Sequence, residues 1–343
     1  MFEHTTLQIF TYLVFFASIV AYAALDGFDL GVGALHLLVK KDKERRIFLN
    51  SIGPVWDGNS VWIVIAIGVL FAGFPFAFAK LFSSLYLPMM FLIVGLMFRT
   101  VAMEFRSKSP LTKWRTFWDI TFALSSYLLM INLGMIIGAL ITGLPIDENG
   151  KFLRDQFQFI TIYSVSISLL VTSLFALHGA IYLAMKTDGE LRDRVKSWVP
   201  TLSTIFVFFW FTATLLTVIR EPYMFDRFKE HPVLFFIALL AVGCILSISY
   251  FERVGRYGLA FVASTGSIAL LVTLVGIGIF PHIVTSSIDY RNSLTLYNAS
   301  SGLITLRVIM VVVLIGLPLS FGYLFFLYRT FRGKVEIDEK TSY

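Results

Sequence analysis

The chain is a succession of long apolar runs separated by short polar segments. A bilayer core about 30 Å thick requires around 20 apolar residues per helix. Runs of that length predict nine membrane-spanning helices, at residues 7–38, 53–79, 82–104, 117–143, 159–185, 200–220, 232–250, 257–280 and 303–328. The pattern therefore predicts an all-α integral membrane protein with short connections.

Composition agrees with this prediction. The chain is 57% hydrophobic and only 15% charged, whereas soluble domains carry roughly 25% charged residues. A net charge of +6 would suggest nucleic acid as a partner of a soluble protein. In a membrane protein it follows from basic loops on one face, so we expect no nucleic-acid partner.

The basic residues lie mainly in the loops that follow the odd-numbered spans and in the tail. They are Lys40, Lys41, Lys43, Arg45, Arg46, Arg106, Lys108, Lys113, Arg115, Lys186, Arg192, Arg194, Lys196, Arg253, Arg256, Arg329, Arg332, Lys334 and Lys340. The other side has few: Lys80, Lys151, Arg154, Arg220, Arg227, Lys229 and Arg291. By the positive-inside rule we expect the N-terminus outside and the C-terminus in the cytoplasm.

The first span contains two carboxylates within its apolar run. Asp26 and Asp29 are three residues apart, which places them on one helical face. An ionisable residue at this depth is costly and indicates a functional site. Gly27 and Gly31, four residues apart, predict close approach of another helix. This helix should therefore face protein or water rather than lipid.

Unusual polar residues concentrate in the first four spans, in the half of the membrane nearest the basic loops. They are Asp26, Asp29, Trp56, Asp57, Asn59, Arg99, Glu104 and Asp119. Spans five to nine carry only His178 and Arg307, apart from residues at their ends. We infer that the first half carries the chemistry and that the second half is mainly scaffold.

Carboxyl groups placed stepwise inward from the cytoplasm are what a proton-uptake path requires. We predict that Asp57 lies at the entrance, and that Asp26, Asp29 and Asp119 belong to the path. The supporting polar residues are predicted to be Trp56, Asn59, Arg99 and Glu104. No catalytic residue and no metal ligand is predicted in this chain.

Structural alternatives exist for the same residues. Arg99 could form a static ion pair with Asp119 or Asp57, and Glu104 could pair with Arg106. Of these we predict an Arg99–Asp119 pair that holds the third and fourth spans together.

Further alternatives concern cofactors and the class of protein. His36 and His178 lie at comparable depth, as a bis-histidine haem site would require, but two histidines are weak support. Trp56 and Trp62 could contact a cofactor or anchor helix ends at the interface. A proton-coupled secondary transporter would also place acids at mid-membrane, although it usually shows broken helices in both halves. A purely structural membrane scaffold is the third class.

Two motifs carry a resemblance to a known family. LDGFDLG at residues 25–31 and GPVWDGN at 53–59 resemble the signature of subunit II of cytochrome bd-type quinol oxidases, a family that includes cyanide-insensitive oxidases. Arg99, Glu104–Arg106 and Trp118–Asp119 also fall where that family has them. The resemblance extends over nearly the whole chain.

The resemblance implies two four-helix bundles and one peripheral helix, with the bundles at residues 1–144 and 145–281 and the ninth helix and tail at 282–343. It also implies a haem-bearing partner, subunit I, that holds two haems b and one haem d, oxidises quinol and reduces O₂ to water. Subunit II would support that core and contribute to proton uptake from the cytoplasm, binding no haem itself. We also expect membrane lipid and a small single-helix accessory subunit as partners, in a prokaryotic cytoplasmic membrane.

Overall fold

The computed structural model describes residues 2–147 and 157–335. Within these ranges the chain is almost entirely helical. The helices are α1 (Phe2–Leu35), α2 (Asp42–Ile52), α3 (Trp56–Gly73), α4 (Pro75–Ser84), α5 (Tyr86–Arg106), α6 (Thr112–Thr142), α7 (Ile162–Lys186), α8 (Gly189–Arg220), α9 (Asp226–Glu230), α10 (Phe235–Arg253), α11 (Tyr257–Ile279) and α12 (Leu303–Thr330). Two short antiparallel strands, β1 (His282–Val284) and β2 (Leu294–Thr295), pair near one end.

Nine helices in the described ranges are long and apolar enough to cross a membrane: α1, α3, α5, α6, α7, α8, α10, α11 and α12. The predicted all-α class with nine spans is confirmed. The predicted second span, 53–79, was too long, because α3 ends at Gly73 and Pro75 begins the separate helix α4. Proline lacks a backbone N–H and is favoured in a first helical turn, so it marks a new start here.

The helices pack around α1 and α7. Helix α1 contacts α3, α6, α7, α11 and α12, whereas α7 also contacts α6 and α8; α5 packs on α6, and α10 on α11. Helix α7 is the most deeply buried of the nine. The division into bundles at residues 1–144 and 145–281 stays a prediction.

Glycine lets α1 and α7 cross closely. A Cβ on Gly31 would overlap the backbone of α7 at Phe175 and Gly179. A Cβ on Gly179 would in turn meet the backbone of Gly31. The close approach predicted from Gly27 and Gly31 is confirmed, since Gly27 faces the Phe175 ring. Small residues serve this purpose in membrane proteins, where helices associate by packing rather than by hydrophobic burial.

Contacts between them bring the loops after α1, α5, α7 and α10 and the segment after α12 to one end of the molecule, which we call the basic end. Ion pairs join segments there: Arg194 with Glu44 at 2.6 Å, and Lys334 with Asp188 at 2.7 Å. At the opposite end, Ser301 donates its backbone N–H to Gly73 at 2.8 Å. The grouping of basic loops agrees with the sequence, and the assignment of the basic end to the cytoplasm stays a prediction.

Candidate functional site

A buried polar cluster joins α1, α3, α5 and α12. We call it the central cluster; its members are Tyr22, Asp26, Asp29, Asn59, Ser60, Arg99 and Tyr328. Its core is a fork of two hydrogen bonds, in which Arg99 Nη1 donates to Asp26 Oδ2 at 2.6 Å and Nη2 donates to Asp26 Oδ1 at 2.7 Å. Asp26 is 0% exposed and Arg99 is 1% exposed. This is the strong bidentate form of an arginine–carboxylate pair.

The second carboxyl, Asp29, has weaker support. Asn59 Nδ2 donates to Asp29 Oδ2 at 2.8 Å, and the nearest Arg99 nitrogen, Nη2, is 3.8 Å away. Tyr328 orients the amide by donating its hydroxyl to Asn59 Oδ1 at 2.9 Å. Asp29 Oδ1 is buried and accepts no hydrogen bond from the described residues. The two acids of the LDGFDLG motif therefore occupy different environments.

Asp57 lies outside the central cluster but on the same helix as two of its members. It is in the first turn of α3, at the basic end, and is exposed. Three residues on, half-buried Ser60 donates its hydroxyl to Asp26 Oδ1 at 3.1 Å. Residues three apart are neighbours on a helix surface, so Ser60 lies next to Asp57 on α3. Exposure decreases from Asp57 through Ser60 to Asp26.

Asp119 belongs to a second cluster at the basic end. His36 Nε2 donates to Asp119 Oδ1 at 2.6 Å, and Arg106 Nε donates to the same oxygen at 2.6 Å. Arg45 Nη1 donates to Asp119 Oδ2 at 2.9 Å. Arg106 continues to Asp42, to which its Nη2 donates at 2.8 Å. The carboxylate of Asp119 is thus held by three basic side chains.

The predicted Arg99–Asp119 pair is wrong. Arg99 binds Asp26, and the partner of Asp119 on α5 is Arg106. Arg99 precedes Arg106 by seven residues, or about 10 Å along the helix axis. That separation places Arg99 opposite the acids of α1 and Arg106 opposite the beginning of α6. The alternative Arg99–Asp57 pair is not formed either.

The remaining predicted residues surround these clusters. Trp56 is half-buried against the core at the start of α3, and Glu104 is half-buried in the last turn of α5. Trp62 is buried, with its ring 5.1 Å from that of Phe321. Arg106, which the sequence offers as a partner of Glu104, reaches Asp119 and Asp42.

Sequence reasoning missed several members of the two clusters. Ser60 directly follows the GPVWDGN motif and lies three residues after Asp57, on the same face of α3. This position in the sequence could have identified it. Tyr328 lies in the last span, far from the motifs, and no local signal marks it. The sequence marks His36 only as a possible haem ligand and Arg45 only as a basic loop residue. Their role as partners of Asp119 depends on how the chain folds after α1.

The two histidines that the sequence suggests as haem ligands both form hydrogen bonds within this chain. His178 lies with Nδ1 2.7 Å from the Ser264 hydroxyl, and its Nε2 donates to the Ala24 carbonyl at 3.2 Å, so both nitrogens are engaged. His36 Nε2 donates to Asp119, and its Nδ1 is buried without a hydrogen-bond partner among the described residues. Among the described residues no group of three or more histidine, cysteine or acidic side chains is arranged to hold a metal ion.

The family model for cytochrome bd terminal oxidase subunit II matches residues 7–331. The chain belongs to the cytochrome bd terminal oxidase subunit II family. It is 32% identical to cytochrome bd ubiquinol oxidase subunit 2 of Bacillus subtilis (strain 168), over 94% of this chain and 95% of that protein. It is 30% identical to cytochrome bd-I ubiquinol oxidase subunit 2 of Escherichia coli (strain K12), over 99% and 98%.

The fold agrees with membership of this subunit II family. The bd oxidase structure from Geobacillus thermodenitrificans superposes with a TM-score of 0.77 at 18% identity, covering 95% of this chain and 98% of that one. The chain is thus a multi-pass membrane subunit of a terminal oxidase, which is an oxidoreductase complex. The resemblance stated from the two motifs is confirmed, and the transporter alternative is not favoured.

Proposed function

We propose that this subunit II supports a haem-bearing subunit I in the oxidation of quinol by O₂, and that it admits protons from the basic end. The relatives are named ubiquinol oxidases, so a quinol is the expected reductant. Haem b and haem d in subunit I would carry electrons from quinol to O₂. Four electrons and four protons convert one O₂ into two waters, so the reaction needs a continuous proton supply.

One observation carries the proton-uptake proposal: the graded burial of Asp57, Ser60 and Asp26. Exposed Asp57 can exchange protons with water at the basic end. The Ser60 hydroxyl, which donates to Asp26, can both give and accept a proton. Asp29, which shares Arg99 with Asp26, lies three residues nearer the basic end on α1, or about 4.5 Å along the axis. Exposed Asp57 and this buried pair of acids support a route from the basic end towards the middle of the membrane.

The predicted share of Asp119 in this path has less support. Three basic side chains hold its carboxylate, which favours an anchoring role at the basic end. Trp56, next to Asp57 in the first turn of α3, and Glu104 stay supporting residues in the proposal. Membrane lipid and a small accessory subunit stay expected partners.

Neutralising the entrance tests the proposal. Asp57→Asn should lower quinol-dependent O₂ consumption and the linked proton uptake of the purified complex roughly tenfold or more, because a proton-transfer group is lost. Haem content should be unchanged, because Asp57 is exposed and away from the buried pairs.

Asp193→Asn is the matched control. Asp193 is also an acid near the start of a helix at the basic end, 78% exposed and in a weak pair with Lys196. Its variant should turn over at the wild-type rate. Wild-type turnover and proton uptake in Asp57→Asn would contradict the proposal and favour a purely structural role for this subunit.

A further inference from the structure

The central cluster contains one more carboxyl than it has cations. Asp26 and Asp29 share a single guanidinium, that of Arg99, and all three side chains are at most 2% exposed. The other side chains around them are neutral amide, hydroxyl and phenol groups, on α1, α3, α7 and α12. They are Tyr22, Asn59, Ser60, Tyr182 and Tyr328. If both acids were ionised, the cluster would hold an uncompensated buried negative charge.

An uncompensated buried charge is among the costliest features a protein can carry. The basic-end cluster shows no such excess of acid, since Asp42 and Asp119 share Arg45, Arg106 and Arg115. In the central cluster the excess is removed if one of the two carboxyls carries a proton.

Hydrogen bonding distinguishes the two candidates. Asp26 accepts two bonds from Arg99 and one from Ser60, so both of its oxygens are satisfied as a carboxylate. Asp29 accepts one bond, from the Asn59 amide, at Oδ2. Its Oδ1 is buried without a hydrogen bond among the described residues. A buried carboxylate oxygen that accepts no hydrogen bond has lost its hydration and gained no interaction in exchange. The same burial costs a neutral carboxyl oxygen less free energy.

We propose that Asp29 is held as a neutral carboxylic acid and gives and takes the proton, and that Asp26 is a permanently ionised positioning residue. This inference rests on the proposed function and specifies it: Asp29 exchanges protons, whereas Asp26 lines the route and passes none. The step breaks the O–H bond of Asp29 and leaves a carboxylate, and the proton is consumed when O₂ is reduced to water in subunit I, as the proposed function requires. Arg99 Nη2, 3.8 Å away, and Asn59 Nδ2 stabilise that transient charge until a proton arrives from the basic end.

Infrared spectroscopy of the purified complex tests the assignment directly. A neutral carboxylic acid has a C=O stretch that is distinct from carboxylate bands and shifts in D₂O. Asp29→Asn should remove one such band, and Asp26→Asn should not. A band that is lost in Asp26→Asn and kept in Asp29→Asn would overturn the proposal, as would no loss in either variant.

A charge-balance experiment covers the case in which a single variant fails to assemble. Arg99→Gln leaves Asp26 without its cation, so the yield of haem-containing complex should fall. If Asp29 is neutral, Asp26→Asn combined with Arg99→Gln removes one charge of each sign and should recover at least part of that yield. Asp29→Asn combined with Arg99→Gln leaves Asp26 ionised and unpaired, so it should recover none of the yield. Equal yields of the two double variants, or a higher yield with Asp29→Asn, would count against the proposal.

These results separate this inference from the proposed function. The infrared band reports where the proton resides, and turnover of Asp57→Asn reports whether protons use the route. Loss of the band in Asp29→Asn with normal turnover in Asp57→Asn would keep the inference on protonation and reject the path. An unchanged band in Asp29→Asn together with slow turnover in Asp57→Asn would reject the inference on protonation and keep the proposed path.

Discussion

Arg99 on α5 holds both carboxylate oxygens of Asp26 on α1, at 2.6 and 2.7 Å, in a site that solvent does not reach. This contact joins the first and third membrane spans, which are 73 residues apart at these positions. Because the guanidinium has a rigid fork of donors, it fixes the rotation of both helices more closely than a point charge would.

Replacing the fork while keeping the charge should weaken this link. Arg99→Lys retains a cation but cannot make two parallel bonds, and we expect a loss of about 1.5–3 kcal/mol in unfolding free energy. The measurement is the thermal unfolding midpoint of the detergent-solubilised complex. Arg307→Lys is the control, because the Arg307–Glu3 pair is more than half exposed and should change stability little. Equal losses in both variants would refute a special role for the fork.

The basic-end cluster permits a comparison between two arginines. Arg106 is buried and pairs with both Asp119 and Asp42, whereas Arg115 pairs with one acid, Asp42, and is 32% exposed. Arg106→Leu should cost about 3–5 kcal/mol, because it leaves a buried charge short of a partner. Arg115→Leu should cost no more than about 1 kcal/mol. The unfolding midpoints of the two variants measure these two losses of stability. A larger loss in Arg115→Leu than in Arg106→Leu would show that burial of the arginine does not determine the loss.

Close packing of α1 on α7 gives a steric prediction. Gly31→Ala places a methyl group into the backbone of α7, so we expect a loss of about 1–3 kcal/mol or failure to assemble. Gly243→Ala is the matched control, since a Cβ there meets nothing within 4 Å. It should be neutral or slightly stabilising, because alanine favours helix. Yield of haem-containing complex and its unfolding midpoint are the measurements; a tolerated Gly31→Ala would contradict the contact.

Glu221, just after α8 at the end opposite the basic loops, gives a prediction about pH. Burial raises the pKa of this carboxyl from 4.5 to about 6, opposed by the nearby charge of Arg220. The folded state therefore binds the proton more tightly than the unfolded state. Stability should fall as pH rises through the window from about 4.5 to about 6.

The size of this pH effect is limited by solvent. Because Glu221 is only half-buried, screening should keep its contribution to about 1 kcal/mol or less. Glu221→Gln stays neutral, so its unfolding midpoint should decline less than that of the wild type between pH 4.5 and pH 7. Parallel curves for the two proteins would remove Glu221 as the cause.

The amino-acid sequence by itself determined the class of the protein. Apolar runs of membrane-spanning length can only satisfy their backbone hydrogen bonds as helices in a bilayer, so hydropathy was enough to give nine spans. Glycine spacing indicated the close contact at Gly31, because only small residues allow backbones to approach so closely. The motifs at 25–31 and 53–59 indicated the family that the comparisons confirm.

Tertiary structure alone decided which charge meets which. Pairing across a membrane depends on depth and rotation of each helix, and an error of two turns moves a side chain by about 10 Å. For this reason Arg99 was assigned to Asp119 from sequence, whereas it binds Asp26 and leaves Asp119 to Arg106. Tyr328 reached the central cluster from the last span for the same reason. The difference between Asp26 and Asp29, invisible in a shared motif, arises from which donors the neighbouring helices bring to each carboxyl.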